Sequence, residues 1–468
     1  MDRYSKLRNN TILFALGSFG STFITFVMLP LYTYVLTPSE YGEIDLLTTL
    51  ITLFVTVFSL NISEGILRFA IDKRYKNENI LKVGLVICAI GTAILVLLYP
   101  GLRNITIISK YIPFFYILFI VQAIRGILKQ YVKAIGETNI YVISDVVDTL
   151  IFVISNIILL VFYNKGVEGY IVSITIGYLI EIIIISCKIN LVEVYKKGYF
   201  DRYESSRIIK YCIPLIVASM SWWIMNVSDR MLISHYLGVY YTGIYALALK
   251  IPSLITIINN MFFMAWQVSA IEEYEKEDIS EFYSEVLAAF FAIMMLFCSM
   301  LIMCIKIGLN IFVAPEFYSS WEVIPYLVIA ALFSSLSNFI NTLYMASKQT
   351  IGSMKNSFIG AILNIVFNIF LIQSVGIKGA AIATMISFGV MLLLMFKGTS
   401  KLVKLYINKK KIAIGFLVLI LEIIVIYFDI GILKEMIINI FLVMTLLLIY
   451  RSSYMSFIKK VIALKSKK

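Results

Sequence analysis

Apolar runs of roughly 17–25 residues recur from one end of this chain to the other. Each is long enough to cross a hydrocarbon core about 30 Å thick as an α-helix. A folded soluble domain has too little interior to hide so many of them. With 60% hydrophobic and only 15% charged residues, the composition agrees, and the fold class is an all-α polytopic membrane protein. Fourteen spans are predicted, at 10–36, 44–69, 81–100, 111–133, 140–163, 167–187, 208–235, 243–271, 282–306, 322–346, 353–374, 379–396, 412–428 and 435–450. The connections are short, so no sizeable domain outside the membrane is expected.

Lysine and arginine orient the spans. With a cytoplasmic N-terminus, 30 of the 40 fall in cytoplasmic segments or at their edges, Lys129 among them. The outer connections hold only Arg103, Lys110, Lys165, Lys378 and Lys434. Both termini are therefore expected in the cytoplasm. The net charge of +12 is explained by orientation and by contact with anionic headgroups, not by nucleic acid. The start of the chain reads as a first span, not as a cleaved signal peptide. The five cysteines form no CxxC or metal spacing, and no P-loop, HExxH or nucleophile elbow is present. The single histidine, His235, ends a span. No enzyme, cofactor or metal site is expected. Without a nucleotide site, uphill transport would need an H+ or Na+ gradient, or the substrate's own.

Two hairpins share a spacing. Leu36 and Gly42 bracket TPSEY, and Leu237 and Gly243 bracket GVYYT. Spans 1–6 and 7–12 then run in the same sense, a parallel repeat of the kind transporters build around a substrate path. The expected domains are 1–200, 201–400, and 401–468 for an accessory pair of spans with a basic tail.

Ionisable side chains inside membrane spans are functional candidates by default. Arg125 lies roughly 21 Å below the outer end of its span at 1.5 Å per residue. Asp145, Asp148, Glu181, Glu64 and Arg68 belong to the same inner side. In the second half, Asp229, Arg230 and Lys250 lie towards the outer side. The guanidinium fork and the mobile ammonium suit an anionic ligand, so Arg125, Arg230, Lys250 and Arg68 are candidate substrate-binding cations. Asp145, Asp148, Glu181, Asp229 and Glu64 are candidate charge partners or ion-coupling groups. Trp222 and Trp223, near mid-span, either stack on sugar rings or fill space between helices. Lys306 and Trp321 are placed at the outer interface and Trp266 at the inner one. Polar stripes, such as Asp45, Thr48, Thr52, Thr56, Ser59 and Ser63, read as helix–helix contacts or cavity walls.

The opening NTILFALGSFGSTFITFVMLPLYTYVLTPSEYGEIDLL and the later SDRMLISHYLGVYYTGIYALALKI resemble Wzx-type polysaccharide flippases. The resemblance implies the multidrug/oligosaccharidyl-lipid/polysaccharide (MOP) exporter fold: two six-helix lobes in a V around a central cavity, with an extra helix pair. It also implies a cargo, an undecaprenyl-pyrophosphate-linked oligosaccharide turned from the inner to the outer leaflet of the bacterial cytoplasmic membrane for O-antigen or capsule. The pathway's polymerase and glycosyltransferases become candidate partners. By position, Arg68, Asp229, Arg230 and Lys250 match the cavity charges of that family. Two alternatives are kept: an ion-coupled exporter of drugs or metabolites on the same fold, and a membrane polymerase or glycosyltransferase. The drug-extruding branch commonly carries an acid in its first span, and Thr11–Leu36 has none.

Overall fold

The computed structural model describes residues 24, 26–72, 74–272, 274, 277–347, 349–428 and 430–455, without the side chains at 217–218, 221–222, 264–265, 267–269, 271–272 and 350. Among the described residues every regular element is helical, and eleven helices are long and apolar enough to span a membrane. The predicted first span lies mostly outside the described residues; its end is α1 (Leu29–Val35). The seventh and thirteenth spans are also helical, over Arg202–Tyr236 and Lys409–Tyr427.

The chain divides into two compact units, Met1–Val227 and Ser228–Lys468. In the first, α2 (Pro38–Phe58), α3 (Ile62–Ala70), α4 (Asn77–Leu97), α5 (Ile112–Ala134), α6 (Thr138–Asn156), α7 (Gly166–Ile189) and the short α8 (Leu191–Lys197) follow in order. The helix α9 (Arg202–Tyr236), with Pro214 inside it, carries the unit boundary. The second unit holds α10 (Val239–Ala248), α11 (Lys250–Glu272), α12 (Ile279–Phe312), α13 (Ile324–Ala346), α14 (Thr350–Val375), α15 (Ile377–Thr399), α16 (Lys409–Tyr427) and α17 (Ile432–Ile449). Many large apolar side chains face outward, including Leu97, Phe162, Phe370, Leu433 and Leu448. In water such a surface would be an aggregation hazard; in a bilayer it is the lipid face.

The two similar hairpins are built differently. At the first, Thr37 caps α2: its hydroxyl accepts from the Glu40 N–H at 3.3 Å, and the Glu40 carboxylate accepts from the Thr37 N–H at 2.9 Å. The Thr-Pro-x-Glu sequence is thus a capping box with proline at the first helical position. At the second, Gly238 takes φ +94° before α10, a conformation that glycine adopts without strain.

The predicted second span is broken. Leu60 and Asn61 adopt positive φ, and α2 ends where α3 begins anew. No proline marks the break. At this place Gly91 of α4 meets the end of α2: a Cβ there would lie 1.9 Å from the Phe58 carbonyl oxygen. Backbone cannot yield as a flexible side chain does. Gly91→Ala is expected to destabilise the protein by about 1–3 kcal/mol, as overpacking does. Gly126→Ala, where a Cβ meets nothing within 4 Å, is expected to be neutral or stabilising. Thermal unfolding of the two variants in detergent checks this; equal melting temperatures would remove the close approach.

Trp266 is not an interfacial residue. It is buried, its indole N–H donates to the Thr342 hydroxyl at 3.1 Å, and its ring stacks on Phe339 with centroids 4.9 Å apart. An aromatic group that also includes Phe262, Tyr283 and Phe290 encloses it.

Candidate functional site

Three neighbouring helices of the first unit bring five charges together. On α5, Arg125 and Lys129 are four residues apart and share a face. The opposite face of α5 carries Ala123, Ile127 and Tyr131 into an apolar core with Ile66 of α3 and Leu81 of α4. That burial fixes the rotation of α5 and turns the two cations towards α6 and α7. There, α6 supplies Asp145 and Asp148, and α7 supplies Glu181. Arg125 donates from Nη2 to Asp148 at 3.1 Å and from Nε to Glu181; its Nη2 also lies 3.6 Å from Asp145. Lys129 donates to Asp145 and lies 3.2 Å from Glu181. Ser144 donates to Glu181 at 3.3 Å.

Aromatic rings back both cations. The Arg125 guanidinium sits 4.2 Å from the Tyr178 ring centroid and the Lys129 ammonium 4.6 Å from that of Tyr141, a favourable arrangement on the electron-rich ring faces. Gly177 is the structural concession: a Cβ there would lie 2.4 Å from an Asp148 carboxylate oxygen. Glu181 is fully buried, and the Arg125 side chain is 20% exposed. The three carboxylates each place an oxygen within 4.8 Å of the others. Two cations already occupy the space among them. With all five groups ionised, two positive and three negative charges leave one net negative.

Arg125, Asp145, Asp148 and Glu181 were each legible as candidates, and the structure joins them. Arg125 does not stand alone to meet a ligand; it is matched by carboxylates. Lys129 was missed because it was counted as an orientation charge at the edge of its span. Its i,i+4 relation to Arg125 was the available signal. Glu64 and Arg68 are exposed on α3, where Glu64 accepts from the Gln130 amide at 3.3 Å. In the loop after α3, the Arg74 guanidinium hydrogen-bonded to Asp72 holds that carboxyl down to about 2.

The second unit holds a buried polar network. Asp229, at the end of α9, is 1% exposed and accepts from the Tyr245 hydroxyl of α10 at 2.6 Å. Ser228 donates to Asn364 of α14 at 2.9 Å, and Asn364 donates to Thr384 of α15 at 3.2 Å. Asn368 donates to Asn364, and its own side-chain oxygen is buried with no hydrogen-bond partner. The Arg230 backbone N–H donates to Asp229 at 2.8 Å, and the Arg230 side chain is half-buried. Lys250 is exposed at the start of α11. Trp223 is half-buried with its indole N–H unpaired. The Trp222 side chain lies outside the described residues.

Lys306 of α12 does not reach for the interface. It donates to the Ile426 carbonyl at 2.6 Å and to Glu435 at 2.9 Å, over the Trp321 ring at 4.7 Å. Those partners belong to α16 and α17. Nearby, Ser299 of α12 donates to the fully buried Glu422 of α16. The C-terminal pair is thus tied to the second unit by buried polar contacts.

Charged and amide side chains buried in bundles of long apolar helices define an integral membrane protein with polar sites at depth. The fold is that of MOP-superfamily transporters. The lipid II flippase MurJ in an inward closed conformation aligns with a TM-score of 0.70 at 15% identity, covering 96% of this chain and 100% of that one. A multidrug resistance MATE family transporter of that superfamily, inward-facing, aligns with 0.65 at 13% identity over 82% of this chain and 95% of its own. Residues 7–267 match the family described as "Polysaccharide biosynthesis protein", and the chain belongs to that family. Among curated proteins, two uncharacterized membrane proteins of Methanocaldococcus jannaschii, MJ1375 and MJ1068, are 26% and 25% identical, each over 47% of this chain. The chain spans about half the length of these curated relatives, 55% and 44% respectively.

Proposed function

We propose that this protein is a flippase that moves undecaprenyl-pyrophosphate-linked oligosaccharide units from the inner to the outer leaflet of the bacterial cytoplasmic membrane by alternating access. The units feed surface polysaccharide, O-antigen or capsule, with glycosyltransferases and a polymerase as partners. The observation that carries this reading is that a member of a polysaccharide biosynthesis family has, along nearly its whole length, the fold of a lipid flippase. The multi-pass topology has both termini in the cytoplasm and basic connections against anionic headgroups.

The charges suit the cargo. A pyrophosphate offers the same acceptor chemistry as the carboxylates that now hold Arg125 and Lys129, so it competes for donors that are already in place. Arg230, Lys250 and Arg68 supply further positive charge, and the half-buried Trp223 offers an aromatic face to sugar rings. Coupling falls to the second unit, where Asp229, Asn364, Asn368 and Thr384 are buried polar side chains of one helix cluster. A carboxylate with amide and hydroxyl oxygens suits Na+ or a proton.

The test is flipping of a labelled undecaprenyl-pyrophosphate oligosaccharide by purified protein in liposomes, with and without a Na+ or pH gradient. Wild type is expected to flip it faster with one of the two gradients. Asp229→Asn is expected to lose that acceleration while still binding the lipid. Gradient-dependent efflux of cationic dyes with no glycolipid flipping would favour the drug-exporter reading instead. Sugar transfer by the purified protein would favour the polymerase or glycosyltransferase.

A further inference from the structure

The second unit contains a cavity of about 510 Å³, walled by apolar side chains of α12, α13, α15 and α16. Its deep wall is Phe291, Phe333, Leu336 and Phe416, with Gly389 leaving room beside the Phe333 ring, 3.2 Å from where its Cβ would be. Its polar lining is confined to one end: Ser284 near the start of α12, Asn408 and Lys411 at the start of α16, and Ser453 after α17. From Ser284 to Phe291 is about 10 Å along α12, within the roughly 15 Å depth of one leaflet. The volume lies in the range of small-molecule sites, about 300–1,000 Å³.

The polar end of the cavity carries a lysine. Six lysines lie between 397 and 411, and Lys411 itself lines the cavity, held at 2.9 Å to Ser452. Two carboxylates, Glu281 and Glu285, line an adjoining recess that shares Ser284, Ala288 and Tyr406. Among the described residues, Lys411 is the one charged residue in the lining of the cavity itself; the two carboxylates line the recess beside it. An apolar slot shorter than one leaflet, with a lysine, an asparagine and two serines at one end, fits an anionic amphiphile with its chain inside and its headgroup at Lys411.

We infer that this cavity holds an acyl chain of an anionic bilayer phospholipid, its phosphate held at Lys411. The lipid is a resident of the second unit and not its cargo, so the inference stands apart from the flippase reading. Close packing of the chain against the apolar wall, and not transfer out of water, supplies the affinity, and Lys411 supplies the headgroup preference.

Native mass spectrometry of the purified full chain in detergent tests it, with phosphatidylglycerol and phosphatidylcholine of matched chains as probes. Wild type is expected to retain one phosphatidylglycerol in preference to phosphatidylcholine. Ala288→Trp, which fills the slot from its exposed rim, is expected to lower that binding about tenfold or more. Leu393→Trp, at a 69% exposed lining position, is the second filling variant should Ala288→Trp not fold. Lys411→Glu is expected to reduce the preference about fivefold or more. Unchanged binding in a folded filling variant, or equal retention of the two lipids, overturns the inference. So does displacement of phosphatidylglycerol by equimolar undecaprenyl phosphate, which would make the slot part of the cargo path. Binding seen only after deletion of residues 456–468 also overturns it, since the chain's own tail would then be the occupant.

Discussion

Arg125→Ala is expected to give little or no folded protein. Lys129 would face Asp145, Asp148 and Glu181 alone, and the cluster would go from one net negative charge to two. Removing one partner of a buried ion pair costs about 3–5 kcal/mol, because the remaining charge stays buried. Arg125 is partly exposed, which places the effect towards the lower figure. Arg125→Lys keeps the charge but loses the fork that reaches Glu181 and Asp148 together, so it is expected to fold less stably than wild type and better than alanine. The decisive measurement is a double-mutant cycle in which Arg125→Leu is combined with Glu181→Leu, read as thermal unfolding in detergent. The double variant is expected to melt above the single Arg125→Leu variant. Strict additivity would show that the two side chains do not interact and would break up the site.

Lys306→Met should have an effect of similar size for the same reason, in another place. Glu435 would be left nearly buried without its cation, and the Ile426 carbonyl would lose its donor. About 3–5 kcal/mol is expected, with a lower melting temperature and faster proteolysis in the connection between α15 and α16. Lys306→Met combined with Glu435→Leu is expected to recover much of the loss, since an apolar pair of similar volume avoids the desolvation of both charges. Melting of Lys306→Met at the wild-type temperature would mean that the ammonium reaches the headgroups and the ion pair is dispensable.

These two cases mark where reading the residues in order stops. Arg125 and Glu181 are 56 residues apart, and Lys306 and Glu435 are 129 apart. In each case depth along separate helices was readable, but which helix faces which was not. Lys306 sits near a span end, where snorkelling is the ordinary expectation; α16 and α17 intercept it. Trp266 failed the same way, because its distance from a span end says nothing of the aromatic residues packed around it. The break at Leu60 and Asn61 carries no proline and depends on the approach of α4 at Gly91.

Among the described residues, the sequence by itself determined where the spanning helices lie, most of their ends to within a few residues but not the breaks within the second and eighth spans, and the charge inventory at depth. It could do so because a spanning helix satisfies its own backbone hydrogen bonds, so each span is a local decision made by about 20 apolar residues. The tertiary structure alone decided which charges neutralise each other, that Arg125 and Lys129 meet the carboxylates of α6 and α7, and that the last two helices are bound by Lys306 and Glu422. Those outcomes depend on rotation and depth of neighbouring helices, set by side-chain packing between residues far apart in the chain, which no local pattern encodes.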